Sequence, residues 1–142
     1  MKNNSIMKKS INAKPDLDHI FTVQDRKFEE IPVPEWGCTI RISVMSGAGR
    51  SEFDQKRIEG EGLEGFMARL IVASAIHEDG SAIFSYDHVE LLKGKSNEIL
   101  MRLAARAAVI NGLSQQASEE IAKNSEAGQN SASGIASPAT SE

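Results

Sequence analysis

The hydrophobic period of this chain changes once, at Ser46, and that change limits the fold more than any other feature. Upstream, residues 38–45 read CTIRISVM, with Ile40, Ile42 and Val44 alternating with Thr39, Arg41 and Ser43. Period two with β-branched residues predicts a strand that buries one face. Before it, Phe28, Ile31 and Val33 predict a partner strand. Pro32 and Pro34 have no N–H to give a ladder, so that strand must be an edge or end early. Glu35, Trp36 and Gly37 supply the turn, with Gly37 free to take a positive φ. The pair reads as a β-hairpin.

After Ser46 the period is helical. SGAGRSEFDQKRI predicts a polar helix anchored by Phe53, interrupted by EGEG at 59–62. Leu63, Phe66, Met67, Leu70, Ile71 and Ser74 then follow the helical spacing and predict a central helix. HEDGS at 77–81 is a turn, tightest at Asp79-Gly80, and Ala82–Phe84 an extended link. Ser85 is placed to cap a third helix, with Gly94 as its left-handed stop. Ser96 is placed to cap the fourth and longest, NEILMRLAARAAVIN, stopped by Gly112. Ser114 opens a weak last helix carrying Ala117, Ile121 and Ala122 inward. The expected class is α+β: an N-terminal β-hairpin followed by a small bundle of about five helices.

The ends differ from this middle. Residues 1–25 fit no sustained period and read as a flexible leader. Residues 126–142, EAGQNSASGIASPATSE, hold Ile135 as their one large apolar residue. Such a segment buries too little surface to offset its ordering entropy, so a disordered tail is expected. The folded unit is then a single domain over 26–125.

Charge and composition exclude several classes. Sixteen basic against twenty acidic residues give a net charge of −4, the wrong sign for a dedicated nucleic-acid binder. No fully apolar run exceeds four residues, as in Leu70–Ala73, so no membrane span is expected. Lysines 2, 8, 9 and 14 precede no apolar stretch, so they do not open a secretory signal. One cysteine, Cys38, forms no internal disulfide and is expected to be a small buried side chain.

The chemistry-bearing clusters are weak. Gly47-Ala48-Gly49-Arg50-Ser51 follows a strand and opens a helix, as phosphate loops do. The required first glycine falls on Val44 and the lysine is Arg50, so it reads as a strand-to-helix joint. His77, Glu78, Asp79 and His88 lack metal-ligand spacing and read as turn and helix-surface residues. Glu29-Glu30 and Glu119-Glu120 lie on polar segments, without the apolar surroundings that raise a catalytic carboxyl's pKa. Neither a catalytic set nor a cofactor or metal site is expected. The fourth helix is different. Its apolar arc is wider than a peripheral helix needs, with Glu98, Arg102 and Arg106 as a narrow polar stripe. One reading makes it a core helix. The other gives Leu100, Leu103, Ala107 and Ile110 a groove for an amphipathic partner helix.

The run IPVPEWGCTIRISVMSGAGRSEF resembles the opening of tail assembly chaperones of long-tailed bacteriophages. The matching residues are Pro34 to Gly37, Ile40 to Val44, Ser46 to Ala48, Arg50 and Phe53. Later matches are His77-Glu78-Asp79-Gly80, Ile83-Phe84-Ser85, Asp87 with Val89, and Asn111-Gly112-Leu113-Ser114. The resemblance covers residues 26–125. One position departs: the family pattern has an acid at 49, where this chain has Gly49. An acid there would complete a capping box, so Ser46 is expected to cap weakly and the helix to start late, near Ser51.

The resemblance implies a non-enzymatic protein. Members bind the long helical tape-measure protein, keep it soluble, and help recruit tail-tube protein during tail morphogenesis. The implied place is the host bacterial cytoplasm, with the protein absent from the mature virion. The implied partners are therefore the tape-measure and tail-tube proteins, with no nucleic acid and no membrane. The alternative reading is a minor structural tail or connector protein retained in the virion.

Overall fold

The alternating segment forms an antiparallel hairpin. The structure, a computed structural model, describes residues 13–122. Strand β1 (Phe28–Val33) pairs with β2 (Cys38–Ser43), placing Glu29 opposite Ile42 and Ile31 opposite Ile40. The Val44 N–H donates to the Lys27 carbonyl at 2.9 Å. Hydrogen-bonded pairs therefore fall at 29, 31 and 33, and residues 28, 30 and 32 aim their backbone away from β2. Pro32 occupies a position where no ladder donor is needed, and β1 is the edge its prolines require. Pro34–Trp36 make a 3₁₀ turn closed by Gly37 at φ 70°.

A third strand, absent from the sequence reading, completes the sheet. β3 (Ala75–Ile76) pairs antiparallel with Ile42 and Arg41, giving the order β1-β2-β3. Two residues at the end of an apolar helix are too few to show period two. The 77–81 turn then folds the chain back, with Gly80 at φ 92° and Ile76 bridged to Ala82.

The helices depart from expectation at their ends. Within the leader, α1 (Leu17–Thr22) is a short helix with no buried side chain. α2 (Gly47–Gln55) starts at Gly47 rather than near Ser51, because Ser46 Oγ accepts the Gly49 N–H at 3.0 Å. That cap uses the backbone of residue 49, so it does not depend on an acid there. α3 (Gly62–Ser74) buries the expected Phe66, Met67, Leu70, Ile71 and Ser74. A 3₁₀ turn (Tyr86–His88) leads into α4 (Val89–Lys93); Ser85 Oγ accepts the Asp87 N–H, and His88 Nδ1 accepts the Ser85 N–H at 2.9 Å. Gly94 is not left-handed (φ −84°): its N–H and that of Lys95 close back on Leu91 and Leu92 within right-handed geometry. α5 (Asn97–Ile110) has no side-chain cap from Ser96; its first residues are exposed, so water can serve their N–H groups. Gly112 ends it at φ 68°, as expected.

Residues 114–122 form α6. Its inward line is Leu113, Gln116, Ala117 and Glu120, so Ile121 and Ala122 are exposed rather than buried. The expected tail at 126–142 lies outside the described residues. α3 is central, packed against α5, α4, α2 and β2. Phe53 and Phe66 meet edge-on at 6.4 Å between ring centroids, and with Ile42, Leu70, Ile71, Leu100 and Leu103 they are fully buried. The result is an α+β fold in which the helices carry most of the core.

Candidate partner-binding face

Three strips divide the surface of α5. The inward strip is Ile99, Leu100, Leu103, Ala104, Ala107 and Ala108. The residues of the groove reading lie on this strip or beside it, as the core-helix reading has them. Leu100, Leu103 and Ala107 are 1%, 0% and 0% exposed, and Ile110 is half-buried against the same core. With 3.6 residues per turn, these positions form one continuous band, and α3 fills the space beneath it.

The second strip grips the hairpin. Arg102 donates two hydrogen bonds to Glu35, at 2.9 and 2.8 Å. Arg106 donates two to Glu29, both at 2.9 Å. Hydrogen bonding by Arg102, with help from the backbone at 35, holds the Glu35 carboxyl down at about 2. Arg106 likewise lowers Glu29. Arg102 and Arg106 of the polar stripe are therefore the flank of α5, while Glu98, its side chain 82% exposed, lies towards the outer face.

The third strip faces outward and is apolar. Met101, Ala105 and Val109 lie four residues apart and are all exposed. Exposed Ile121 and half-buried Leu63 stand beside Met101 and Ala105. Leu63, Met67, Met101, Ala105 and Ile121 line a shallow cleft of about 60 Å³. The surplus apolar breadth seen in the sequence is real, but it lies on the side opposite Leu100, Leu103, Ala107 and Ile110. An almost wholly apolar helix carries no sign of which half faces in. Only the arginine flank, paired with a distant hairpin, orients it.

The remaining clusters serve the fold. Gly47–Ser51 form the first turn of α2 beside an antiparallel sheet, with the Gly49 N–H already taken by Ser46. Asp79 Oδ1 accepts the Ser81 N–H and hydroxyl at 2.9 and 2.6 Å, which lowers its pKa. His77 and Glu78 share that turn, while His88 is spent on the Ser85 cap. Glu30 pairs with Arg41 at 2.7 Å, and Arg41 lies over the Phe28 ring. Among the described residues no group of three His, Cys, Asp or Glu is placed to hold a metal. Cys38 corrects another expectation. It shares the parity of buried Ile40 and Ile42, but at the turn end of β2 it is exposed.

Two buried charged residues, Arg69 and Glu120, do not show in the sequence. Arg69, in the middle of α3, is 2% exposed. It donates to Glu61 at 3.0 and 2.8 Å and to the Phe53 carbonyl, and stacks over the Phe53 ring. Its only signal was an arginine inside an apolar helical run.

No protein-family model and no curated protein matches the chain. Among solved structures the chain is similar to that of the bacteriophage HK97 tail assembly chaperone, at TM-score 0.49 and 19% identity, over 75% of this chain and 94% of that one.

Proposed function

We propose that this chain is a tail assembly chaperone of a long-tailed bacteriophage. It binds the tape-measure protein in the host cytoplasm, keeps it soluble, helps recruit tail-tube protein, and leaves before the virion matures. The observation that carries the binding role is the outward strip of α5. Met101, Ala105 and Val109 present apolar surface at helical spacing, beside the cleft bounded by Leu63 and Ile121. A long helical partner exposes apolar stripes that aggregate unless covered. Ala105, the smallest of the three, lets such a helix approach closely. Net charge −4 keeps the complex soluble.

The family assignment rests on the order of motifs from Pro34 to Ser114, each of which has a structural task. Pro34–Gly37 is the hairpin turn, Ser46 the cap of α2, Phe53 a core anchor and Asn111 the joint between helix and sheet.

Co-expression with the product of the neighbouring long helical reading frame tests the proposal. A soluble complex in size-exclusion chromatography is the expected result. A partner equally insoluble with and without this chain overturns it. Mass spectrometry of purified particles addresses the alternative, since a fixed copy number per virion marks a structural tail or connector subunit.

A further inference from the structure

Of the seven asparagines in the chain, Asn111 alone precedes a glycine. In an open chain that pair carries its own chemistry. With no side chain at 112 to shield it, the backbone nitrogen of Gly112 can reach Cγ of Asn111. The nitrogen bonds to Cγ, the Cγ–Nδ2 bond breaks, and Nδ2 leaves as ammonia with the proton that Gly112 gives up. Water then opens the five-membered imide. The product is aspartate, or an isoaspartyl link in which the main chain runs through Cβ.

The fold keeps the reacting atoms apart. Asn111 has ψ 5°, so the Gly112 nitrogen eclipses the Asn111 nitrogen, whereas ring closure needs it to eclipse Cβ. The Gly112 N–H donates to the Val109 carbonyl at 3.2 Å. The carboxamide is held at both ends: Oδ1 accepts the Met45 N–H at 2.7 Å, and Nδ2 donates to the Ala107 carbonyl at 3.0 Å. Bringing Cγ to the Gly112 nitrogen breaks these bonds. Gly112 is itself fixed by the fold, because it ends α5 at φ 68°, a left-handed conformation that strains any side chain. The helix stop and the reactive pair are therefore the same two residues.

We propose that Asn111-Gly112 is a deamidation site gated by the fold: protected while the end of α5 is docked on the sheet, and reactive once that end opens. A helix end opens at lower free energy than the whole domain. The product cannot remake the joint. Aspartate replaces the Nδ2 donor with an anionic oxygen, which then faces the oxygens of Ser43, Ala107 and Ser74. The isoaspartyl link moves the side chain off its partners altogether. A chain held open for long enough thus loses the joint it needs to close, and its unfolding becomes irreversible with time.

Incubation of the full chain in mildly alkaline buffer, folded and in urea, tests this without any phage partner. Its outcome is therefore separate from that of the tape-measure reading. Peptide mass spectrometry reads the conversion of amide to acid at each asparagine. In urea, Asn111 should convert ahead of Asn124 and Asn130, each of which precedes a serine. In the folded chain, conversion at Asn111 should be at least about tenfold slower than in urea, at a rate set by opening of the α5 end. Urea-aged chain diluted into buffer should separate into an amide form that refolds and a converted form with a lower urea midpoint. Equal rates of conversion in the folded and unfolded chain overturn the proposal. So does a converted chain that refolds to the midpoint of the unaged protein, since the joint would then not depend on the amide.

Discussion

Asn111 Oδ1 accepts the backbone N–H of Met45 at 2.7 Å, joining the end of α5 to the exit of β2. The same side chain donates to the carbonyls of Ser43 and Ala107 and to Ser74 Oγ, at 3.3, 3.0 and 3.3 Å. One amide thus ties the sheet, the end of α3 and the end of α5 together. Met45 is buried, so its N–H has little water to fall back on. Asn111→Ala should cost about 2–3 kcal/mol, the range for stranding a buried donor together with lost bonds. Asn111→Asp keeps the acceptor but sets a negative charge against two carbonyl oxygens, and should not rescue. Urea denaturation should show a lower midpoint at unchanged slope.

The Arg69–Glu61 pair predicts an asymmetry between single and double variants. Their side chains are 3% and 9% exposed. Glu61→Ala leaves a buried guanidinium without its carboxylate, and should cost about 3–5 kcal/mol. Glu61→Leu combined with Arg69→Met removes both charges and should lose less than that single change. A thermal-melt comparison decides it: a double variant less stable than Glu61→Ala would mean the pair itself stabilises the fold.

The hairpin, the central helix and the Gly37 and Gly112 stops were legible because each writes a local signal, a period or a glycine at a turn. β3 was not legible, since its two residues borrow their strand character from Ile42 and Arg41 across the sheet. The late start expected for α2 failed because the cap acts through a backbone N–H, which is indifferent to side-chain type. The outward face of α5 was half legible. The excess of apolar surface on α5 could be seen, but its direction depends on Glu29 and Glu35, more than sixty residues away. Glu120 shows the same limit: an acid on a weak helix is buried near Arg57, a proximity no local pattern encodes.

Acid should loosen the grip of α5 on the hairpin. The folded-state Glu35 carboxyl lies at about 2, down from the ordinary 4.5, and Glu29 is also lowered. In this window the unfolded chain binds more protons than the folded one, so stability rises with pH. The contribution is complete above about 4.5 and is lost as pH falls towards 2. Glu35→Gln should flatten the melting temperature against pH over that span. High salt should flatten it too, because both arginine pairs are solvent-exposed. A slope unchanged in Glu35→Gln would assign the acid response to other carboxylates.

On the proposed function, the two faces of α5 should separate stability from binding. Leu103 is fully buried, so Leu103→Asp places an unpaired charge in the core at a cost of about 3–5 kcal/mol. That is a large part of the stability of a small domain, and circular dichroism should show a strongly lowered melting point. Ala105 lies two residues on but faces outward. Ala105→Glu should change stability by no more than about 0.5 kcal/mol and still abolish the soluble complex with the helical partner. The opposite pairing, a folded Leu103→Asp that fails to bind beside an Ala105→Glu that binds normally, would move the site back to Leu100, Leu103, Ala107 and Ile110. It would also require α5 to turn its inward strip towards the partner during binding.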